Sequence, residues 1–459
     1  MNNIIKRLSI SAMLTTAIAT GAAQNTYSGY FIENYDYRFQ MNPAMGNEKG
    51  FVSFPGLGNL NIDMHGSLHL NEVIYSRNGK TMLFTNPQIG VDEAMKKFGD
   101  RNKLGTSEKI DILTVGFNAF GGYNALSLGV VANADVSVPG ALFSLAKEGI
   151  SNKTYDVENL FGNVNVYAQL ALNHSRDIKQ VPGLRVGGSL KFLIGAGSMD
   201  FRLKEAKLML GEDKWKAITQ AEVYASVGGF KYKYDTSDAT GKEYVSGGEI
   251  DSYKPQGFGM ALDLGATYKW RDFKFSAAVL DLGFMNWGKT QKASTDGVQE
   301  ISTDAYIFNA DEDAPNSFSK EWHRFTDNLA SLYQMTEVEE QSSYTRALAA
   351  TLNFAGEYEL PYYRNLHFGF LNSTRINGKY TWTQFRFSAN VRPVKCLSAD
   401  VNMVVGTYGV GFGWLFNLHC PGFNLFLGMD RTLGKLAKQG VPLNSNASVN
   451  FGINFPFAR

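Results

Sequence analysis

Asp63, His65, Ser67 and His69 occupy alternate positions of one short stretch, a set of types that serves nucleophilic hydrolysis or metal binding elsewhere. Alternate residues of an extended strand share a face and stand about 6.6–7 Å apart, which separates His65 from His69 by roughly 13 Å. Within one strand that spacing gives neither a Ser–His hydrogen bond nor joint chelation of one metal ion. The four residues read as a polar row facing a wet interior, and the chain is expected not to be an enzyme.

Gly409-x-Gly411-x-Gly413 looks superficially like part of a nucleotide loop. Its other face is Val410, Phe412, Trp414 and Phe416 and no helix follows, so the context of that fingerprint is absent. Inward glycines in such a strand would instead let another backbone approach closely. Asp311, Glu312 and Asp313 lack the spacing of an EF-hand and read as a solvated loop. No cofactor and no metal are expected. Cys396 and Cys420 are the only cysteines, at two turns flanking one hairpin, where an oxidising compartment would permit a disulfide. Alternation puts Cys396 inward and Cys420 outward, so the bonded and the free states both stay open.

These residues must be positioned by strands. From Asp111 to Val138 the chain alternates twice: Leu113, Val115, Phe117 and Ala119, then Leu126, Leu128, Val130, Ala132, Ala134, Val136 and Val138, joined by a glycine-rich turn. Runs this long exceed the usual five or six residues of a globular strand. Their second face carries Ser, Asn, Gly and Asp rather than Lys and Glu, which suits a closed wet interior. The pattern predicts an all-β transmembrane antiparallel up-and-down barrel in the bacterial outer membrane.

Composition agrees. The 459 residues include 47 Gly, 22 Tyr and 32 Phe, with a formal net charge of +1 and a mean hydropathy of -0.20. The charge gives no footprint for nucleic acid. Residues 1–23 read as a secretory signal peptide, with Lys6 and Arg7 ahead of an apolar run and small residues up to Ala23. No later run is long and apolar enough for a membrane-spanning helix.

About fourteen strands follow within residues 59–459, beginning at Asn59 to Asn71 and ending at Ala447 to Phe457. Long outer loops are expected at 72–109, 204–256 and 288–343, the second with weak strand character that would prolong the barrel wall above the membrane. Connections after even-numbered strands are short while several after odd-numbered ones are long, the asymmetry of outer-membrane barrels. Aromatic girdles are read from Tyr268, Trp270, Tyr362 and Tyr363 below and from Trp287, Tyr380 and Trp382 above. Residues 24–58 carry little alternation but many aromatics, then Asn42-Pro43-Ala44. They are expected to form a plug or periplasmic segment whose turn is fixed by Asn42, Pro43 and Ala44. A few inward positions are apolar: Leu193, Leu280, Leu282, Leu371, Leu415 and Phe426 would seat that plug or line a ligand path.

The Asn-Pro-Ala segment, the strand exit Val279-Leu280-Asp281-Leu282-Gly283-Phe284-x-x-Trp287 and the closing strand together resemble an uncharacterised outer-membrane barrel family of the Bacteroidota. That family is related more distantly to FadL-type transporters and to barrels associated with type 9 secretion. The resemblance implies passage of a small hydrophobic or amphipathic compound by a monomer in contact with outer-membrane lipid. The alternative is a non-transporting scaffold whose outer loops dock a surface or secretion-system protein. Most inward positions here are Asn, Ser, Asp, Gly or Gln, where FadL-type barrels offer a greasy path.

Overall fold

Period-2 alternation becomes a ring of fourteen antiparallel strands. The computed structural model describes residues 26–77, 80–149, 151–211, 214–237, 241–302, 315, 317–341, 343–432 and 446–457. The expected signal peptide and the cluster Asp311, Glu312 and Asp313 lie outside the described residues. In chain order the barrel strands are β1 (Gly50–Ser53 and Asn59–Gly66), β2 (Arg101–Ala119), β3 (Gly122–Pro139), β4 (Phe161–Asp177) and β5 (Leu184–Leu210). Then come β6 (Gly257–Trp270), β7 (Phe273–Trp287), β8 (Tyr344–Ala347 and Ala350–Glu359), β9 (Leu366–Ile376) and β10 (Trp382–Val394). Last are β11 (Leu397–Gly406), β12 (Gly409–Cys420), β13 (Phe423–Met429) and β14 (Ala447–Phe457).

Each strand pairs with its sequence neighbour, and β14 returns to β1 through Leu60↔Phe451 and Ile62↔Val449. Closure leaves no unpaired edge in the ring, the condition for crossing hydrocarbon with strands. Large apolar residues cover the outside: Phe354, Phe370, Phe387, Val401 and Phe412 are all exposed. Their inward neighbours Asn353, Ser373, Ser388 and Asn402 are buried. An exposed belt this extensive is a lipid-facing surface. Replacing Phe370 in that belt by Arg is therefore expected to cost about 2–4 kcal/mol near the bilayer midplane. Urea titration of the protein folded into lipid vesicles measures it, and a variant as stable as the parent would contradict the belt.

The wall does not stop at the belt. The 27-residue β5 continues upward and pairs along Lys214–Val227, which in turn pairs with Thr290–Thr295 and Val298–Ser302. Leu203, Leu208, Trp215, Ala217, Ile301 and Leu332 form a separate core there, with Leu145 of the helix Gly140–Glu148. The strand character expected within 204–256 is thus present as sheet that prolongs the wall. β2 likewise starts at Arg101, not at Asp111, because its upper half stands above the belt and has no lipid to select alternation.

Three further readings change. β1 ends at Gly66, and a helical turn Leu70–Val73 follows. Ser67 and His69 therefore leave the polar row: the Ser67 hydroxyl accepts the Lys103 N–H (3.0 Å), and the His69 N–H donates to the Glu72 carboxylate (2.9 Å). Leu282 faces outward, because a bulge between β6 and β7 inserts a residue and reverses the alternation after Leu280. Finally, the lower aromatics are exposed as a girdle requires, but Trp287, Tyr380 and Trp382 are buried inside the upper wall. The Tyr380 hydroxyl donates to the carbonyls of Asp135 (3.1 Å) and Phe161 (3.3 Å).

Candidate functional site in the lumen

A ring of fourteen strands is wider than eight, the number at which wall side chains alone fill the interior. Here the space is taken by residues 26–49, whereas Gly50–Ser53 of the expected plug segment 24–58 is wall strand paired with β14 and β2. Tyr30, Tyr35, Tyr37, Phe39 and Met41 are buried there against Phe51, Tyr123, Leu371, Leu415 and Phe426 of the wall. The Tyr35 ring meets Phe426 edge-on with centroids 4.9 Å apart, and Tyr37 meets Phe51 at 5.5 Å.

A buried stretch without a strand partner must satisfy its backbone otherwise. Two 3-10 turns, Tyr27–Gly29 and Arg38–Gln40, do part of this. Wall asparagines do the rest: Asn353 donates to the Met41 carbonyl (2.9 Å), Asn417 to Asn34 (3.0 Å) and Asn173 to Pro43 (3.3 Å). The inward asparagines are thus the hydrogen-bonding partners of the luminal segment.

Two anchors fix its ends. Near the start, the Asp430 carboxylate accepts the N–H groups of Tyr27 (2.9 Å) and Ser28 (2.5 Å) and the Ser28 hydroxyl (2.7 Å). Arg386, 1% exposed, neutralises it from 3.6 Å and donates to Asn402. Near the end, the Asn42 amide donates to the carbonyls of Ala266 and Ala277 (3.2 Å each), while its oxygen accepts the Ala44 N–H (3.0 Å). This contact needs glycine in the wall. A Cβ on Gly265 would lie 2.1 Å from the Asn42 oxygen, and one on Gly187 would lie 2.3 Å from the Pro43 carbonyl oxygen. The glycines that admit this end of the segment are therefore Gly187 and Gly265, not Gly409, Gly411 and Gly413. Gly409 opens β12 with φ 83° just after the turn, and Gly413 makes room for Asn402 and Arg386.

Of the apolar inward candidates, Leu371, Leu415 and Phe426 seat the segment, whereas Leu193 packs higher up with Met285 and Trp287. Leu280 is buried inside the wall beside the bulge. That bulge carries Asp281 at φ 58°, held by Lys191, whose ammonium lies 2.6 Å from Asp281 and 2.7 Å from Asp263. Asp63 and His65 remain in the upper lumen, with His65 Nδ1 2.9 Å from Asp63 and Nε2 3.7 Å from Asp135. Cys396 and Cys420 are free thiols, close enough that the His419 N–H donates to the Cys396 carbonyl at 2.8 Å. Among the described residues no cluster of His, Cys, Asp and Glu could hold a metal ion. Above the segment lies a pocket lined by Tyr167, Met285, Trp287 and Leu348 together with Asn133 and Arg375.

Sequence reasoning missed Arg386, Asp430, Lys191 and Asp263. A signal existed: Arg386 stands between Phe385 and Phe387, and Lys191 between Leu190 and Phe192. A charge inserted into lipid-facing alternation must point inward and must be paired.

Residues 43–430 match the model of a family described only as a family of unknown function (DUF5723). The chain belongs to the DUF5723 family. In this DUF5723 protein the matched span begins at Pro43 in the luminal segment and takes in β1 through β13. No curated protein matches it. Among solved structures, the toluene transporter TbuX of Ralstonia pickettii is similar at 8% identity and a TM-score of 0.41, covering 96% of this chain and 95% of that one. A Pseudomonas aeruginosa FadL homologue is similar at 9% identity and a TM-score of 0.38, covering 90% of each chain. The translocator domain of the autotransporter NalP from Neisseria meningitidis gives 8% identity and a TM-score of 0.36, covering 96% of this chain and 100% of that one. Likenesses this distant extend to barrels of different kinds and name no cargo for the DUF5723 protein.

Proposed function

We propose that this protein is a barrel of the bacterial outer membrane that passes a small hydrophobic or amphipathic compound, with residues 26–49 acting as a plug. The observation that carries this reading is how the lumen is filled. The occupant is a non-strand segment, held by side-chain hydrogen bonds and ring contacts rather than by sheet pairing, so it can shift without breaking the ring. A sealed structural barrel needs no removable filling. A pocket of the upper lumen mixes apolar and aromatic side chains with polar and charged ones, the lining expected of a site for a compound with both characters. The plug would block a continuous aqueous leak, and ligand arriving in the upper lumen would compete for its contacts.

Proteoliposomes holding the full chain test this reading. Uptake of small aromatic tracers should exceed that of protein-free vesicles while ion leakage stays low. If no hydrophobic or amphipathic tracer enters faster than into empty vesicles, passage is wrong. The sheet above the belt favours a second reading, a scaffold for a surface or secretion-system protein, because it has its own packed core. Stoichiometric co-purification of one partner, with no uptake, would support that alternative.

A further inference from the structure

The pocket above the N-terminal segment has an imbalance of charge that its own residues do not resolve. It offers about 40 Å³ of water-accessible space, within about 490 Å³ of atom-free space that includes open solvent. Three charged side chains line it: Arg346, Arg375 and Asp135. Arg346 is satisfied by Asp200, 2.9 Å away, a carboxylate that Arg202 also holds. Asp135 is met by His65 at 3.7 Å and by the Asn377 amide at 3.4 Å. Asp281, the other carboxylate in electrostatic reach of Arg375, is held by Lys191 at 2.6 Å. Arg375 has no ion pair among the described residues. Its recorded hydrogen bond is a long one, 3.5 Å to the Asn133 oxygen.

A guanidinium offers five N–H donors in a planar fork that matches a carboxylate. Arg375 is half-buried and lines the pocket, so a carboxylate arriving there would take up those donors in place of water. The accessible space admits a group the size of a carboxylate or a few waters, with the rest of a ligand lying in the open part of the pocket. The same pocket is also lined by Tyr167, Met285, Trp287 and Leu348. We propose that this pocket binds a compact organic monoanion, its carboxylate on Arg375 and its apolar body against Tyr167, Met285 and Trp287. An extended acyl chain has no room below, because the segment headed by Tyr27 and Tyr30 fills the lumen. The inference rests on the proposed passage of an amphipathic compound and names its class.

The test is binding of 4-phenylbutyrate to the full chain in detergent, read by calorimetry and by the fluorescence of its tryptophans. Saturable binding is expected, weakened at least tenfold by the neutral isostere 4-phenylbutanol and at least tenfold in Arg375→Gln. Arg375→Lys, which keeps the charge and loses the fork, should fall between. Heat-modifiable gel mobility shows which variants hold the barrel, and if Arg375→Gln does not, the Lys variant and the isostere decide. Equal affinity for the alcohol, unchanged affinity in the variants, acetate binding as tightly as phenylbutyrate, or tighter binding of palmitate would each overturn the proposal. Uptake of neutral tracers without phenylbutyrate binding overturns this inference alone. Phenylbutyrate binding without any uptake supports the site and removes the passage reading.

Discussion

A variant lacking residues 26–47 is expected to form an open pore, raising ion conductance across planar bilayers by roughly tenfold or more over the full chain. The ring does not depend on those residues: β1 pairs with β14 and β2 through its own backbone from Gly50 onward. What remains inside after the deletion is polar, since Asn173, Asn353, Asn417 and Asn424 lose the carbonyls and carboxylate they now serve and face the lumen. Rings of sixteen to eighteen strands hold an aqueous channel, and one of fourteen emptied of its filling approaches that state. Equal conductance of the full chain and the variant would mean that the segment does not seal the lumen.

The second large effect is at Asp430. Changing it to Ala removes the acceptor for two backbone N–H groups and a hydroxyl, and strands the Arg386 guanidinium in a buried site. Breaking a buried pair by removing one partner costs about 3–5 kcal/mol. The loss falls on the docking of the segment's start, so hydrogen exchange of the Tyr27 and Ser28 amides should accelerate by orders of magnitude while the strand amides of β12 keep their protection. Asp430→Asn keeps an acceptor and should lose about 1–2 kcal/mol. Asp177→Ala, at a solvent-exposed pair with Arg185, should lose less than about 1 kcal/mol. If D430A leaves exchange at Tyr27 unchanged, the anchor has been misjudged.

The ring was legible because lipid imposes period 2 on every strand that crosses it, and the fourteen segments found that way are the fourteen strands of the structure. Where lipid stops acting, legibility fails. The upper halves of β2 and β5 and the sheet at Lys214–Val227 are ordinary mixed sequence, selected by a local core around Trp215. Leu282 was misassigned because one inserted residue at Asp281 cannot be seen in a run that remains apolar on both sides of it. The segment 24–58 declared its aromatics but not its partners. Gly187 and Gly265 are two glycines among 47, and only the approach of Asn42 and Pro43 distinguishes them. The pocket depends on Asn133, Tyr167, Trp287 and Arg375, drawn from four strands or strand ends, and no linear spacing joins them.

The 27 residues of β5 would extend about 90 Å if straight, roughly three times the thickness of the hydrocarbon layer. This one ribbon, braced by its neighbours, makes a stiff fin on one flank of the barrel mouth. In the proposed outer-membrane setting with this end outward, an antibody or phage reaching the cell would meet a fixed, pleated shape there instead of a cloud of interchanging loops, and a binder raised against it could be made rigid in turn.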